Sequence, residues 1–243
     1  MRSAFVFILG WHFIFSLMVL AKPEEKKKAE GLRGGKIYAM NSDHKKPLFT
    51  MNAELQTEKG HTVFNSSYLD DNNVEALTEE AVFEKFQLQK YTVNQKQLGE
   101  TYSLNITGDS MVFTVTQRGE VRSKTRKLPP NLIIGPSFVP FMVQHWPQLL
   151  KGEKVRAELA VLEQLDYFAF VFEKLRSTSV NGQAAVLIRM RPHNSLVSAI
   201  VRPVYFTVKA DGSAIIELKG RMLPKNKIGS RFVDFEGEAI FSY

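Results

Sequence analysis

The sequence predicts a mainly β protein: a large curved antiparallel sheet, or half-open barrel, with one central amphipathic helix at about 137–151. Three observations predict it. From Lys36 onward most of the chain alternates apolar with polar residues, the period-2 mark of strands with one buried face. Turn residues punctuate these runs. Gly135–Lys151 breaks the pattern, because Phe138, Phe141, Met142, His145, Trp146, Leu149 and Leu150 recur at helical spacing and form one apolar stripe.

The chain opens on Met1-Arg2 and the apolar run Ser3–Ala21, ending in Val19-Leu20-Ala21 before a polar stretch. A positive start, an apolar run and a small-residue site mark residues 1–21 as a signal peptide; an uncleaved anchor over residues 3–21 is the rival expectation. Residues 22–35 (KPEEKKKAEGLRGG) hold little to bury and read as a charged, solvated tether. Residues 36–243 then form a single β-rich domain, large enough for one substantial core.

Within that domain, strands are expected at Lys36–Met40, Pro47–Leu55, His61–Tyr68, Val82–Val93, Glu100–Ile106 and Met111–Arg118. Turns fall at Glu58–Gly60, Asp70–Asn73, Asn94–Gln97 and Thr107–Ser110. In the helix, Ser137 is the expected N-cap and Pro140 sits in the first turn. Pro147 should kink the helix or start a second short one, and Gly152 suits its stop. Further strands follow at Lys154–Leu162, Tyr167–Arg176, Gln183–Arg191, Val204–Lys209, Ala214–Met222 and Arg231–Tyr243, with hairpin turns at Asn181-Gly182 and Ala210–Ser213. Tyr167–Phe172 is apolar on both faces, so it should lie centrally and be covered on both sides, one of them by the helix. Arg231–Tyr243 alternates strictly, with Asp234, Glu236 and Glu238 on one wet face.

Composition narrows the chemistry. The formal charge is +7, or +6 without the segment holding Arg2, which permits attraction to anionic partners. With no cysteine there is no disulfide, thiolate metal site or cysteine nucleophile. The histidines 12, 44, 61, 145 and 193 lack metal-ligand spacing, so no metal is expected, and Arg33-Gly34-Gly35-Lys36 lacks the phosphate-loop spacing, so no cofactor is expected either. Gly108-Asp109-Ser110 resembles the nucleophile block of the Gly-Asp-Ser lipases, but no C-terminal Asp-x-x-His follows and a turn accounts for it. Asp234, Glu236 and Glu238 recur about 7 Å apart along a strand, a spacing compatible with glycosidase acids and equally with an ordinary wet face. No catalytic residue is assigned, and the expectation leans away from an enzyme.

Two candidate binding surfaces remain. One is apolar: Phe138, Phe141, Met142, His145, Trp146 and Phe170, which could line a lipid pocket or simply form core. The other is basic: Arg118, Arg122, Lys124 and Arg126 share one parity, and Arg189 and Arg191 repeat the pattern on another strand. Nucleic acid is not expected as a partner, since the aromatics lie in apolar runs rather than among the basic residues.

The Gly135-Pro136-Ser137 helix start, Trp146 with Leu149-Leu150-Lys151-Gly152, and Val204-Tyr205-Phe206 before Ala210-Asp211-Gly212 resemble a broad group of uncharacterised bacterial periplasmic β-proteins. That resemblance implies a fold like the curved, half-open sheets of periplasmic lipoprotein carriers. The expectation is an exported, periplasmic or secreted, non-enzymatic envelope protein binding a lipidic or anionic envelope ligand, or a protein partner. An outer-membrane β-barrel and an envelope-polymer hydrolase are the alternatives.

Overall fold

A computed structural model describes residues 32–85, 87–194 and 201–243; the expected signal segment and most of the tether lie outside the described residues. The N-terminal strands are β1 (Gly34–Ala39), β2 (Phe49–Glu58), β3 (His61–Asp70), β4 (Glu75–Glu84), β5 (Gln87–Gln95), β6 (Glu100–Thr107), β7 (Ser110–Gln117) and β8 (Glu120–Lys127). A two-residue β9 (Leu132–Ile133), a 3-10 turn at Gly135–Ser137, and helices α1 (Phe138–Gln144) and α2 (Trp146–Leu150) come next. Then follow β10 (Val155–Val161), a second 3-10 turn at Leu162–Gln164, β11 (Asp166–Val180), β12 (Gln183–Pro192), β13 (Val204–Lys209) and β14 (Ile215–Arg221). The chain ends with β15 (Asn226–Ile228), β16 (Arg231–Val233) and β17 (Glu236–Ser242).

One sheet takes up 15 of these strands in the order β8-β7-β6-β5-β4-β3-β2-β1-β17-β14-β13-β12-β11-β10-β9, while β15 and β16 form a separate ribbon. Pairing is antiparallel except between β9 and β10. Two antiparallel halves therefore meet where β1 pairs with β17, and the sheet ends β8 and β9 do not pair with each other. Alternation fixes which way each strand faces: Phe64, Ser66 and Tyr68 of β3 turn inward, while Glu54, Glu80 and Lys90 lie on the convex, wet side.

The concave face holds two neighbouring cores. Over β1–β8 it gathers Ile37, Phe64, Leu77, Leu104, Met111 and Phe113 among others. Over β9–β14 the helices lay Phe141, Met142, Trp146 and Leu149 onto Phe172, Ile188 and Phe206. Phe138 packs edge-on against Phe206, with ring centres 5.2 Å apart, and Phe141 lies 5.1 Å from Phe172. Ile133 and Ile134, adjacent in sequence, serve one core each.

The sheet does not close because it rolls past itself. Along β11, Phe170 and Phe172 face the helices, so Tyr167 must face the other way, and it packs into the core of β1–β8 together with Ala160, Leu162 and Leu165. The Leu162–Gln164 turn rests on β6 and β7. The Tyr167–Phe172 stretch is thus covered on both sides only in part: Phe170–Phe172 are buried and Tyr167 is covered by the overlap, but Phe168, on the helix side, is 41% exposed. The stretch is not central either: β11 is the third strand from one end, and overlap of the sheet supplies the second cover.

Other boundaries move for local reasons. Val82–Val93 is two strands, because the chain turns after Glu84 with Lys85 at φ 47, a turn without the usual glycine, proline or asparagine. Arg118 lies not on a strand but in the two-residue β7–β8 loop with Gly119, at φ 51 and 82. The helix breaks at His145, two residues ahead of the Pro147 ring, and Ser137 does not cap it: its Oγ bonds the backbone N–H and C=O of Ile134 instead. Leu150 falls off the buried stripe and is exposed. Arg231–Tyr243 divides into β16 and β17, and Glu238 on its expected wet face is buried, because the loop after β1 folds over it.

The helix pair is fastened at Trp146. Its indole N–H donates to the carbonyl of Ala210 at 3.1 Å, and the ring covers the β13–β14 turn. Gly212 there adopts φ 80, and a Cβ on it would stand 2.7 Å from the indole Cδ2. Gly212→Ala is therefore expected to lose about 1–3 kcal/mol from left-handed strain, with further loss from the collision. A denaturant midpoint equal to wild type with unaltered tryptophan emission would contradict this packing.

Candidate functional site

The site begins where the β8 end of the sheet meets the β10–β11 hairpin. On β8, Glu120, Arg122, Lys124 and Arg126 share the concave side with the inward residues of β7, since Arg122 pairs with Val115, Lys124 with Phe113 and Arg126 with Met111. Across the gap, Asp166 at the start of β11 accepts from Lys124 Nζ at 2.9 Å and takes a two-pronged contact from Arg126, Nε at 3.0 Å and Nη2 at 2.8 Å. The Arg126 fork, with help from Lys124, holds the Asp166 carboxyl well below the usual carboxylate range. Side chains, not a hydrogen-bonded ladder, fasten this seam.

Beside the clamp a cleft of about 490 Å³ opens, lined by Lys127–Asn131 on one side and by Arg156, Glu158 and Tyr167 on the other. Pro129 and Pro130 form its lip and carry no N–H to continue a strand, which is why β8 stops there. Arg156 is paired with Glu158 at 2.7 Å and still more than half exposed. Arg118, Arg122 and Lys127 are exposed and have no ion-pair partner among the described residues.

A second set of polar groups lies inside the first core. Glu79 is 4% exposed and accepts from Ser66 Oγ at 2.7 Å, Tyr68 OH at 2.8 Å and Tyr91 OH. Glu100 accepts from Tyr102 and Gln117. Near Tyr102, Lys225 is 7% exposed and bonds Glu163 at 2.9 Å and Asp234. Burial, reinforced by the Glu79 charge, pushes the Tyr68 and Tyr91 phenols well up, and burial with the Glu100 bond does the same for Tyr102. Each carboxylate has its donors, so these networks pin strands together rather than present a reactive group. The sequence carried a signal for them: Glu79 is in phase with Leu77 and Ala81, and Glu100 with Tyr102 and Leu104, acids in apolar register. Asp166 carried none, because its partners are 40 and 42 residues away.

The predicted site residues separate. Phe141, Met142, Trp146 and Phe170 are buried in packing, with Phe138 and His145 at its margin. His145 Nδ1 bonds Gln148 at 2.8 Å and its ring lies against Phe141. Of the basic residues, Arg122, Lys124 and Arg126 do share a face, but Arg118 is in the turn. Arg189 and Arg191 converge on Glu173 on β11, apart from the β8 ridge. Lys219 pairs with Glu238 and Arg221 with Asp234. Gly108-Asp109-Ser110 is the β6–β7 turn. His44, Glu217 and Glu238 bring three ligand atoms within 4.8 Å of one another, yet Lys219 Nζ lies 3.3 Å from Glu217 and 3.2 Å from Glu238, filling the position of a cation.

Fold and site define a mainly β protein, a rolled antiparallel sheet left open at a basic seam. Among solved structures it is similar to a beta-barrel-like protein of a domain of unknown function from Brucella abortus, with 8% identity, a TM-score of 0.46, and coverage of 86% of this chain and 96% of that chain. No family model and no curated protein matches the sequence.

Two expectations follow from the geometry. Asp166→Asn should cost about 1–3 kcal/mol in chemical denaturation. Because the folded carboxyl lies below its unfolded value, this contribution is complete above the ordinary carboxylate range and fades as pH falls below it, so wild type and variant should converge in acid. A constant gap down to pH 2 would refute the clamp. For the phenols the sign is opposite: Tyr68, Tyr91 and Tyr102 should stay protonated above pH 10 and ionise together with unfolding. Reversible ionisation of all tyrosines near pH 10, with the fold intact, would argue against their burial with carboxylates.

Proposed function

We propose that this is an exported, periplasmic, non-enzymatic binding protein of the cell envelope, engaging an anionic ligand along the seam between β8 and β10. It resembles the half-open lipoprotein carriers in plan, with its ligand surface moved from the concavity to the seam. One observation carries the reading: Lys127 stands exposed without an acidic partner at the open cleft, and Arg122, likewise exposed and unpaired among the described residues, stands further along β8, whereas Arg189, Arg191, Lys219 and Arg221 are each paired. Unpaired cations on the rim of a concave site are what attract phosphate, sulfate or carboxylate groups. The concavity supports a lipid chain less well, because the Leu162–Gln164 turn and the helices fill it. The polar convex positions Glu54, Glu80 and Lys90 favour a water-facing sheet over a membrane barrel.

The test is binding to inorganic polyphosphate and to phosphatidylglycerol vesicles, with phosphatidylcholine vesicles as control. Salt-sensitive binding to an anionic probe is expected, and reversal of two charges (Arg122→Glu with Lys127→Glu) should weaken it about tenfold or more. Binding to polyphosphate without vesicles marks a soluble anion, and the converse marks a lipid headgroup. No binding to either at low salt, or equal binding by the reversed variant, overturns the reading.

A further inference from the structure

Strand β8 is an open edge, and its chemistry selects what can join it. The Arg118-Gly119 loop makes Gln117 and Glu120 the closing hydrogen-bonded pair of the hairpin. Hydrogen-bonded and non-hydrogen-bonded pairs then alternate, so Arg122, Lys124 and Arg126 direct their backbone groups to β7. Val121, Ser123, Thr125 and Lys127 turn their N–H and C=O outward, where no strand pairs with them among the described residues. Eight residues of edge are therefore available. The convex side chains along it are Val121 (65% exposed), Ser123, Thr125 and, at the end, Lys127; the first three are small or β-branched residues over which a neighbouring strand can lie flat.

The concave side decides the partner. A second copy of β8 would set three cations, Arg122, Lys124 and Arg126, with the single acid Glu120 against the same set, a net like-charge pairing, and like charges directly opposite are destabilising. An apolar strand would strip water from Arg122 and give it no counter-charge. A strand with carboxylates at alternate positions faces Arg122 directly and shares Lys124 and Arg126, whose side chains Asp166 already holds in place. At its end lies the cleft, lined by Lys127, unpaired among the described residues, and by Arg156 with its partner Glu158.

We propose that β8 accepts an extended, acidic segment of a partner protein as an added strand: main-chain bonds to Val121, Ser123, Thr125 and Lys127 supply affinity, and carboxylates over Arg122, Lys124 and Arg126 supply selectivity. This rests on the seam being the anion-binding surface and adds the claim that the anion arrives on a β-strand.

The experiment uses a blocked eight-residue peptide alternating Glu with Thr or Val, the same peptide with Lys for Glu, and inorganic polyphosphate. Thr125→Pro removes one outward N–H and leaves the β7 ladder intact, a change that edge strands tolerate; circular dichroism checks the fold, and Ser123→Pro is the second variant. The Glu peptide should bind wild type, the Lys peptide should not, and either proline variant should lose the Glu peptide about tenfold or more while retaining polyphosphate. In wild type, amide exchange at Val121, Ser123, Thr125 and Lys127 should slow with the peptide and not with polyphosphate. Equal peptide binding by the proline variants, or no amide protection, overturns strand addition and leaves the anion reading standing. If neither peptide nor polyphosphate binds, both fall together.

Discussion

The architecture depends on one steric fact: the β10–β11 hairpin end enters the concavity of the first half-sheet. A curved sheet of this length can close by pairing its last strands or can overlap itself. Here Leu162, Leu165 and Tyr167 take the interior volume over β6 and β7, so among the described residues β8 pairs with β7 alone and the ends slide past each other. What remains is a gap beside β8 that Lys124 and Arg126 reach across to meet Asp166. A partly exposed charged clamp is weaker than a ladder of backbone bonds. The seam is therefore joined by side chains rather than by a ladder, and the outer backbone of β8 remains open there.

That overlap also explains the polar interior. Glu79, Glu100 and Lys225 would be costly in an apolar core if unpaired. Each is surrounded by donors or acceptors from different segments: Ser66, Tyr68 and Tyr91 for Glu79, and Glu163 with Asp234 for Lys225. Gln97 binds the backbone N–H and C=O of Lys225, tying the β5–β6 turn to the segment after β14. These contacts specify which segments meet at the mouth of the rolled sheet, a matter on which apolar packing alone is indifferent.

The two surfaces read from the sequence have diverged. The helix stripe is absorbed by packing against Phe172 and Phe206, with Trp146 seated on the Gly212 turn. The basic residues are divided by their neighbours: Glu173 takes Arg189 and Arg191, Asp166 takes Lys124 and Arg126, and Arg122 and Lys127 are left facing solvent. Charge parity along a strand shows which side chains can act together, but only three-dimensional neighbours decide which of them are already neutralised.

The sequence by itself determined the β class, the turns at Asn181-Gly182 and Ala210–Ser213, the amphipathic stripe and the burial of Phe170–Phe172, because periodicity and turn chemistry are local. It also held a mark of the buried acids, in the apolar register of Glu79 and Glu100. The turn after Glu84 and the break within Arg231–Tyr243 escaped it, since no glycine or proline falls between Glu84 and Gln87 or between Val233 and Glu236. Only the tertiary structure decided that the sheet overlaps rather than closes, that Glu238 lies beneath a loop, and that Asp166 holds the seam. These are contacts between segments tens to nearly two hundred residues apart, and which of them form depends on how the whole sheet curls rather than on any stretch of the chain.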